Sequence, residues 1–406
     1  MSDTGNIEKR IKRYVLGKTR SFFVSTLPGI EQLCFDELTR IGLAMADTKI
    51  SKGGIAFSGR VHDCYLANLK LRTANRILMR LTTFTASNFR QLEKKLSDLP
   101  WELYLHKDAD CTLNITSKRS RLIHTNAIAE RFKNSLENRL KPLVNAAEKN
   151  HDSPVSLSQQ IFVRAENDQF TVSLDSSGEL LHKRGLKSQG GKAPVRETIA
   201  AAILALAGYQ PGEPLIDPMC GTGTFSLEAA MITNNIPAGW YRNFAFMDWP
   251  GFKPSRWKHI RQDAEKQITP VSEPNIFASD IDPDNCRALN QVLRKNNLSD
   301  TINVFSANFF DLRPQNINRD MKGLLPGKHQ GLIVLNPPYG RRLEKKDSID
   351  NMFTEICKKL KKDFTGWKAA LLVPDKHLLK KIPFKATPHD FFHGGLNITL
   401  VTGKIG

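Results

Sequence analysis

Residues 215–224 read Leu-Ile-Asp-Pro-Met-Cys-Gly-Thr-Gly-Thr, and Phe-Ser-Leu-Glu-Ala-Ala follows at 225–230. A short apolar run leads to an acid, two glycines stand one residue apart, and small and apolar residues continue the chain. This pattern predicts a strand, a tight turn and a helix. Because Gly221 and Gly223 lack a Cβ, the backbone can turn sharply there and lie close to a ligand.

Several interpretations of this glycine loop compete. A Walker phosphate loop requires Gly-Lys-Ser/Thr at its end, which does not follow here. A dinucleotide fingerprint has a third glycine where Ser226 stands, and usually no acid at the position of Asp217. An acid, Gly-x-Gly and a helix of small residues fit the loop that holds the amino-acid end of S-adenosylmethionine. An ordinary β–α turn, with glycines for geometry only, stays open at this point.

A second motif follows the apolar run at 332–335, which is typical of a buried parallel strand. Residues 336–340 read Asn-Pro-Pro-Tyr-Gly. The two prolines remove two backbone donors and fix φ, so the carbonyls of this turn point in set directions. The Asn336 side-chain oxygen and the Pro337 carbonyl could accept both hydrogens of a purine amino group, and Tyr339 could stack on the ring.

The two motifs together resemble a known family. Asn-Pro-Pro-Tyr about 120 residues after Asp-Pro-x-Cys-Gly-Thr-Gly-Thr resembles the class I methyltransferases that act on base amino groups. The longer string at 336–343 resembles the THUMP-containing RNA guanine-N2 methyltransferases, above all their bacterial 23S ribosomal RNA branch. The resemblance spans about residues 21–406 and implies S-adenosylmethionine as cofactor and ribosomal RNA as partner. A transfer RNA guanine-N2 methyltransferase with the same domain order is the alternative.

The resemblance implies an α/β fold: a Rossmann-like class I methyltransferase domain with a seven-stranded sheet, preceded by α+β ferredoxin-like and THUMP domains. Because well-known bacterial homologues continue into a second methyltransferase domain and this chain stops at Gly406, only the first activity is expected. The expected bounds are 1–20 for a flexible basic arm, 21–80 for the ferredoxin-like domain, 81–175 for THUMP, 176–192 for a linker and 193–406 for the methyltransferase domain.

Acids and amides at the ends of predicted strands supply the expected cofactor contacts. Asp280 would accept both ribose hydroxyls. Asn308, where the family usually has Asp, would accept from the adenine amino group through its side-chain oxygen. The implied cofactor set is Asp217, Gly221, Thr222, Gly223, Thr224, Asp280, Ile281, Asn308, Phe309 and, at the entry to the domain, Pro194. The implied catalytic set is Asn336, Pro337, Pro338 and Tyr339.

Charge predicts a polyanionic partner. The 406 residues carry a net charge of +18, which would attract nucleic acid or an acidic membrane surface. Lys118, Arg119 and Arg121 stand between a predicted strand and a long helical pattern, where backbone amides also favour phosphate. A solvated helix face is the alternative for this cluster. The THUMP resemblance favours RNA binding by these three residues.

Other classes of function are disfavoured. No apolar run approaches the roughly twenty residues of a membrane span, and no signal peptide begins the chain, so a cytoplasmic protein is expected. The six cysteines are scattered without zinc spacing, which predicts reduced thiols and no metal.

A cytosine-C5 methyltransferase would need a nucleophilic cysteine elsewhere than Cys220. A silent RNA-binding module would be expected to have lost Asp217, Asp280 or Asn336, and all three are present.

An aromatic segment at about residues 235–272 lies beyond the glycine loop. Its aromatic and basic side chains could stack on bases. We expect instead that the segment packs on its own domain.

Overall fold

The computed structural model describes residues 3–43, 47–140, 158–187, 195–314, 331–338, 346–373, 375–393 and 396–406. The chain forms two compact units, each with a seven-stranded sheet. The N-terminal unit comprises residues 1–26, 34–181 and 242–262, and the C-terminal unit comprises residues 27–33, 182–241 and 263–406. Among the described residues, no helix combines the length and the apolar character needed to cross a membrane.

The sheet of the N-terminal unit has the strand order β2-β3-β1-β4-β7-β6-β5. Only the pair β5–β6 is parallel. Its strands are β1 (Arg20–Thr26), β2 (Lys49–Ser51), β3 (Gly54–Gly59), β4 (Ala74–Thr85), β5 (Cys111–Lys118), β6 (Gln159–Glu166) and β7 (Gln169–Asp175). The helices in this part of the chain are α1 (Asp3–Ile11), α2 (Glu31–Arg40), α3 (Val61–Lys70), α4 (Phe89–Ser97) and α5 (Thr125–Leu140).

Strand β4 joins the two segments that the sequence assigns to separate domains. It is 12 residues long, pairs with β1 through its first half and continues along β7 to Thr85. The predicted ferredoxin-like and THUMP segments therefore share one continuous sheet. The predicted linker is also packed where it begins, because Ser176 and Ser177 are fully buried and both hydroxyls hydrogen-bond to the Asn68 side chain.

The prediction of a flexible arm over residues 1–20 is wrong. Helix α1 and a π-helix at Lys12–Leu16 cover most of this segment. Ile11 and Val15 are buried, and Arg10 pairs with Glu102 at 2.9 Å. The many basic residues of this segment hide its amphipathic character in the sequence. Two apolar residues four positions apart, Ile11 and Val15, lie on one helical face and are buried.

The aromatic segment is also placed differently from the prediction. Residues 242–262 belong to the N-terminal unit, where the ring of Phe246 stacks on Tyr65 with centroids 4.2 Å apart. The Trp249 indole donates to the Gln159 side-chain oxygen at 3.1 Å, and the Gln159 amide donates to the Ala245 carbonyl at 3.1 Å. Composition indicates that such side chains need burial, but it cannot say which surface covers them.

The C-terminal unit confirms the predicted seven-stranded α/β sheet, with the order β10-β9-β8-β11-β12-β14-β13. The first five strands are parallel, and β14 is antiparallel to both of its neighbours, β12 and β13. The strands are β8 (Leu215–Asp217), β9 (Ile276–Asp280), β10 (Ile302–Ser306), β11 (Leu332–Leu335), β12 (Lys368–Val373), β13 (Thr387–His393) and β14 (Leu396–Lys404). The helices after residue 195 are α6 (Glu197–Leu206), α7 (Thr224–Thr233), α8 (Pro254–Glu265), α9 (Pro283–Lys295) and α10 (Lys346–Asp363).

Strand β8 lies at the switch point of this sheet, with β9 on one side and β11 on the other. In open parallel sheets, ligands bind outside the carboxyl ends of the strands where the order reverses. Asp217 and Asp280 end β8 and β9, and Asn336 follows β11 directly. The fold therefore brings the two sequence motifs, distant along the chain, to the same edge of the sheet.

Candidate active site

The glycine loop is a tight turn between β8 and α7. The Cys220 amide donates to the Ser279 carbonyl at 2.9 Å, and the Gly223 amide donates to the Cys220 carbonyl at 2.8 Å. Gly221 and Gly223 have φ angles of 53° and 76°, in the left-handed region that favours glycine. A Cβ at Gly223 would also overlap the Leu289 side chain. The sequence needs glycine at both positions for backbone geometry, and at Gly223 for helix packing as well.

Asp280 ties this loop to the end of β9. One carboxylate oxygen accepts from the Gly221 amide at 2.8 Å, and the other accepts from the Asp282 amide at 2.9 Å and the Asn285 side-chain amide at 3.2 Å. A carboxylate offers about four acceptor sites, so at least one remains for a ligand hydroxyl. Asp280 also lines the pocket described next.

A pocket of about 690 Å³ opens at the carboxyl ends of the parallel strands. Nine residues predicted from sequence line it: Gly221, Thr222, Thr224, Asp280, Ile281, Asn308, Phe309, Asn336 and Pro338. The structure thus brings most of the predicted cofactor set and part of the predicted catalytic set into one cavity. Pro337 is buried beside this cavity and does not line it. Pro194 and Tyr339 lie outside the described residues.

Asp217 and Gly223 support the pocket rather than line it. The Asp217 side chain is 1% exposed, and one of its oxygens accepts from the Ser226 hydroxyl at 2.7 Å. Burial raises the pKa of Asp217 to about 7. The expected direct cofactor contact is therefore replaced by a bond that joins the strand end to the first turn of α7. In sequence, an acid in this motif resembles a ligand contact. Its burial depends on the helix packed above it, which the local sequence does not show.

Asn308 lies on the pocket wall at the start of a 3₁₀ helix, Phe309–Asp311. Its side-chain oxygen accepts from the Phe310 amide at 3.1 Å, which satisfies one of the free donors at this helix start. Phe309 is 2% exposed and belongs to the core under the pocket. The side-chain oxygen keeps a second acceptor site for a ligand amino group.

The Asn336 side-chain oxygen is buried, and it has no hydrogen-bond partner among the residues that the structure describes. Such an unpaired acceptor is costly, by about 1–3 kcal/mol, and in a pocket it is a sign of a missing ligand donor. Because Asn336 shares the cavity with Asp280 and the glycine loop, the predicted cofactor residues and the predicted base-binding residue lie in the same cavity. An amino group bound there would restore the missing hydrogen bond.

Sequence reasoning missed several residues of the cavity wall, which are mostly apolar. They are Val195, Pro218, Met219, Cys220, Phe225, Phe310 and Met352, together with the polar Asp282 and Asn285. Apolar lining residues carry no chemical signature, since they look like core residues in sequence. It also missed Lys187, whose ammonium donates to the hydroxyl oxygens of Thr222 and Thr224.

The predicted basic cluster lies where the sequence placed it, between the end of β5 at Lys118 and the start of α5 at Thr125. Lys118, Arg119 and Arg121 are exposed. Arg119 has a φ of 52°, and the Arg121 amide donates to Asp168 in the β6–β7 turn at 2.6 Å. The loop is therefore held by its backbone and its three cationic side chains are exposed, with the Arg121 guanidinium 3.7 Å from the Asp168 carboxylate.

Two family models match the chain. One, described as the RMKL-like methyltransferase domain, matches residues 184–389. The other, described as the RlmL ferredoxin-like domain, matches residues 21–78. The first covers the whole cavity wall, and the second covers β1 to the middle of β4.

Relatives extend the similarity to nearly the full chain. The "Putative RNA methyltransferase slr0064" of Synechocystis sp. is 30% identical over 388 residues, which are 94% of this chain and 96% of that protein. The "Ribosomal RNA large subunit methyltransferase K/L" of Allochromatium vinosum is 30% identical over 95% of this chain, which spans about half (51%) of that protein. The crystal structure of "SMU.472, a putative methyltransferase complexed with SAH" superposes with a TM-score of 0.82 at 27% identity, covering 96% of this chain and 99% of that one.

Proposed function

Since this chain belongs to the RMKL-like methyltransferase family and uses S-adenosylmethionine, we propose that it methylates the N2 amino group of a guanosine in 23S ribosomal RNA. The single observation that carries the proposal is the unpaired, buried oxygen of Asn336 in the wall of the cofactor pocket. It marks the place where a base amino group would bind.

The described residues fit the cofactor. Asp280 would accept from the ribose hydroxyls, Asn308 would accept from the adenine amino group, and Ile281 and Phe309 would border the adenosine. Gly221, Thr222 and Thr224 would hold the amino-acid end. When bound, S-adenosylmethionine supplies an electrophilic methyl group on a sulfonium centre.

The side chain of Asn336 would act on the nucleophile. An amino group conjugated with a purine ring is a poor nucleophile, because its lone pair is delocalised. The Asn336 oxygen in the cavity wall would accept from one of its hydrogens, and the carbonyl of Pro337, beside the cavity, is proposed to accept from the other. The two acceptors would localise that lone pair and orient it. Pro338 shapes the turn, and Tyr339 is proposed to stack on the base. The guanine must leave its stack to reach this cavity.

No strong base is required for this reaction. The amino group becomes far more acidic as its new bond to carbon forms, so one proton can pass late to the Asn336 oxygen, the Pro337 carbonyl or water. Among the described residues of the pocket wall, the ionisable side chains are Asp280, Asp282 and Cys220. Burial raises the pKa of Cys220, so its thiol is not a nucleophile. Positioning therefore accounts for most of the catalysis.

We assign delivery of the RNA to the N-terminal unit. Residues 21–80 are proposed to supply its ferredoxin-like part, which a family model matches at 21–78, and residues 81–175 a THUMP-like part with Lys118, Arg119 and Arg121 on phosphates. We propose that residues 176–192 connect these parts to a methyltransferase part at 193–406, of which residues 242–262 pack in the N-terminal unit. A ribosomal RNA substrate would place the protein in the cytoplasm.

Mass spectrometry of nucleosides tests the proposal. Ribosomal and transfer RNA from a strain lacking the protein should show N2-methylguanosine missing from 23S RNA alone, and the purified protein should restore it with S-adenosylmethionine. Loss from transfer RNA would select the alternative substrate. Loss of N6-methyladenosine would keep the amino-group chemistry and reject guanine. Unchanged RNA from the deletion strain, together with no methyl transfer in vitro, would favour a binding protein.

A further inference from the structure

Lys187 contacts two threonines of the pocket wall and does not line the pocket itself. Its Nζ donates to the hydroxyl oxygens of Thr222 at 3.2 Å and Thr224 at 3.0 Å. An ammonium group can only donate. Both hydroxyl oxygens therefore accept on the side of Lys187, and both hydroxyl hydrogens are free to donate in another direction.

The segment that carries Lys187 is firmly held. Three residues earlier, Arg184 forms an ion pair with Glu228 of α7 at 3.2 Å, and both side chains are almost completely buried. Gly185 has a φ of 88°, and Leu186 belongs to the core of this unit. The three residues before Lys187 thus fix the backbone from which its side chain reaches the loop.

Acidic side chains near Lys187 favour its charged form. Burial lowers the pKa of its ammonium group, and the charges of Glu197 and Asp217 act in the opposite direction. The same ammonium group makes the hydrogen bonds to the two threonines.

The described wall of the pocket offers no positive charge to a ligand carboxylate. The side chains that line it include the carboxylates of Asp280 and Asp282, but among the described residues of this wall there is no lysine or arginine. The amino-acid end of S-adenosylmethionine carries an ammonium group, which acids attract, and a carboxylate, which a nearby cation would stabilise. Lys187 acts on that wall indirectly, because its ammonium donates to the hydroxyl oxygens of Thr222 and Thr224, which line the pocket.

We propose that Lys187 is a cofactor-positioning residue: through the hydroxyls of Thr222 and Thr224 it presents two polarised donors to the carboxylate of S-adenosylmethionine. Hydrogen bonds polarise one another in a chain, and bonds to a charged acceptor are stronger than neutral ones. This inference rests on the part of the proposed function that concerns the cofactor, and it does not depend on the RNA substrate.

Calorimetry with two ligands tests it. S-adenosylhomocysteine has the amino-acid end, whereas 5′-methylthioadenosine has the same nucleoside and a thioether but no carboxylate. Lys187→Met should weaken S-adenosylhomocysteine binding by about tenfold or more. It should change methylthioadenosine binding by less than about threefold, and Lys187→Arg should restore part of the lost affinity. Lys183→Met, an exposed lysine in the same connector, is the matched control and should bind both ligands as the parent does.

Equal losses for both ligands would show that Lys187 only supports the fold, and an unchanged affinity for S-adenosylhomocysteine would also overturn the proposal. If Lys187→Met does not fold, Thr222→Val and Thr224→Val are tested with the same two ligands. Each removes one hydroxyl donor and leaves the lysine in place, so each should weaken S-adenosylhomocysteine binding more than methylthioadenosine binding. A parent protein that binds neither ligand would instead contradict the cofactor assignment itself.

Discussion

The Gly221 amide donates to a carboxylate oxygen of Asp280 over 2.8 Å, so the cofactor loop and the end of the neighbouring strand are joined by one hydrogen bond. Residues 59 positions apart are thereby held as one surface. The acid that should bind the ribose also sets the position of the loop that should hold the amino-acid end. Affinity for both ends of the cofactor is therefore coupled through Asp280.

Asp280→Ala should weaken S-adenosylmethionine binding by more than the loss of one contact. Removing hydrogen bonds to a charged acceptor costs roughly 1.5–3 kcal/mol, and the released loop adds to this loss. Asp280→Asn keeps one acceptor oxygen and should bind better than Asp280→Ala. Calorimetry with the cofactor measures both variants. Parental affinity in Asp280→Ala would show that this strand end is not the ribose site.

Asn336→Ala should lower the rate of methyl transfer by at least about a hundredfold, which is the scale of removing one preorganised polar contact. Cofactor affinity should change by less than about threefold, because Asn336 is assigned to the base. Asn336→Asp retains an acceptor oxygen and should keep more of the rate. Single-turnover methylation of the native RNA, together with cofactor calorimetry, separates the two effects. A near-parental rate in Asn336→Ala would contradict the assignment.

Replacing Lys118, Arg119 and Arg121 should weaken RNA binding and flatten its dependence on salt. Each lost phosphate contact lowers the slope of log K against log salt by about one. Gln suits Lys118 and Arg121, whereas Asn suits Arg119, because its φ of 52° is tolerated by Asn. Fluorescence anisotropy over a salt series measures the slope.

The control for this experiment changes charge by the same amount elsewhere on the same unit. Arg90, Lys94 and Lys95 are exposed on α4, and their replacement by Gln removes three positive charges. If both triple variants lose the same slope, net charge rather than the β5–α5 loop would account for RNA binding.

Asp217 should make the free energy of unfolding fall as pH rises from about 4 to about 7. Its pKa is raised by burial from 3.8 to about 7, so in this window the native state holds a proton that the unfolded chain has lost. The contribution is fully present below pH 3.8 and declines by up to about 1.4 kcal/mol per pH unit above it. Asp217→Asn lacks this titration.

Urea unfolding of the parent and Asp217→Asn at several pH values checks the sign. The stability of the variant relative to the parent should rise with pH through the window. Asn can still accept from the Ser226 hydroxyl, so the local hydrogen bond is retained in the comparison. A difference that is constant with pH would show that Asp217 is ionised throughout.

Local sequence carried enough information to predict the methyltransferase unit. The spacing of apolar residues, acid and glycines defines β8, the turn and α7, and the apolar run before Asn336 defines β11. The resemblance of the two motifs to a methyltransferase family implied that they form one site, and the parallel sheet explains why they meet at one edge. Nine residues of the cavity wall were predicted from that resemblance.

Tertiary structure alone decided which polar groups face the ligand and which face the core. Asp217 and Asp280 both end strands, but the helix above Asp217 buries it against Ser226, whereas Asp280 stays on the wall. Lys187, Tyr65 and Val15 show the same limit: their partners are distant in the chain or supplied by another element. Secondary structure depends on neighbours in sequence, whereas burial and charge compensation depend on which surfaces pack together, and no local pattern records that choice.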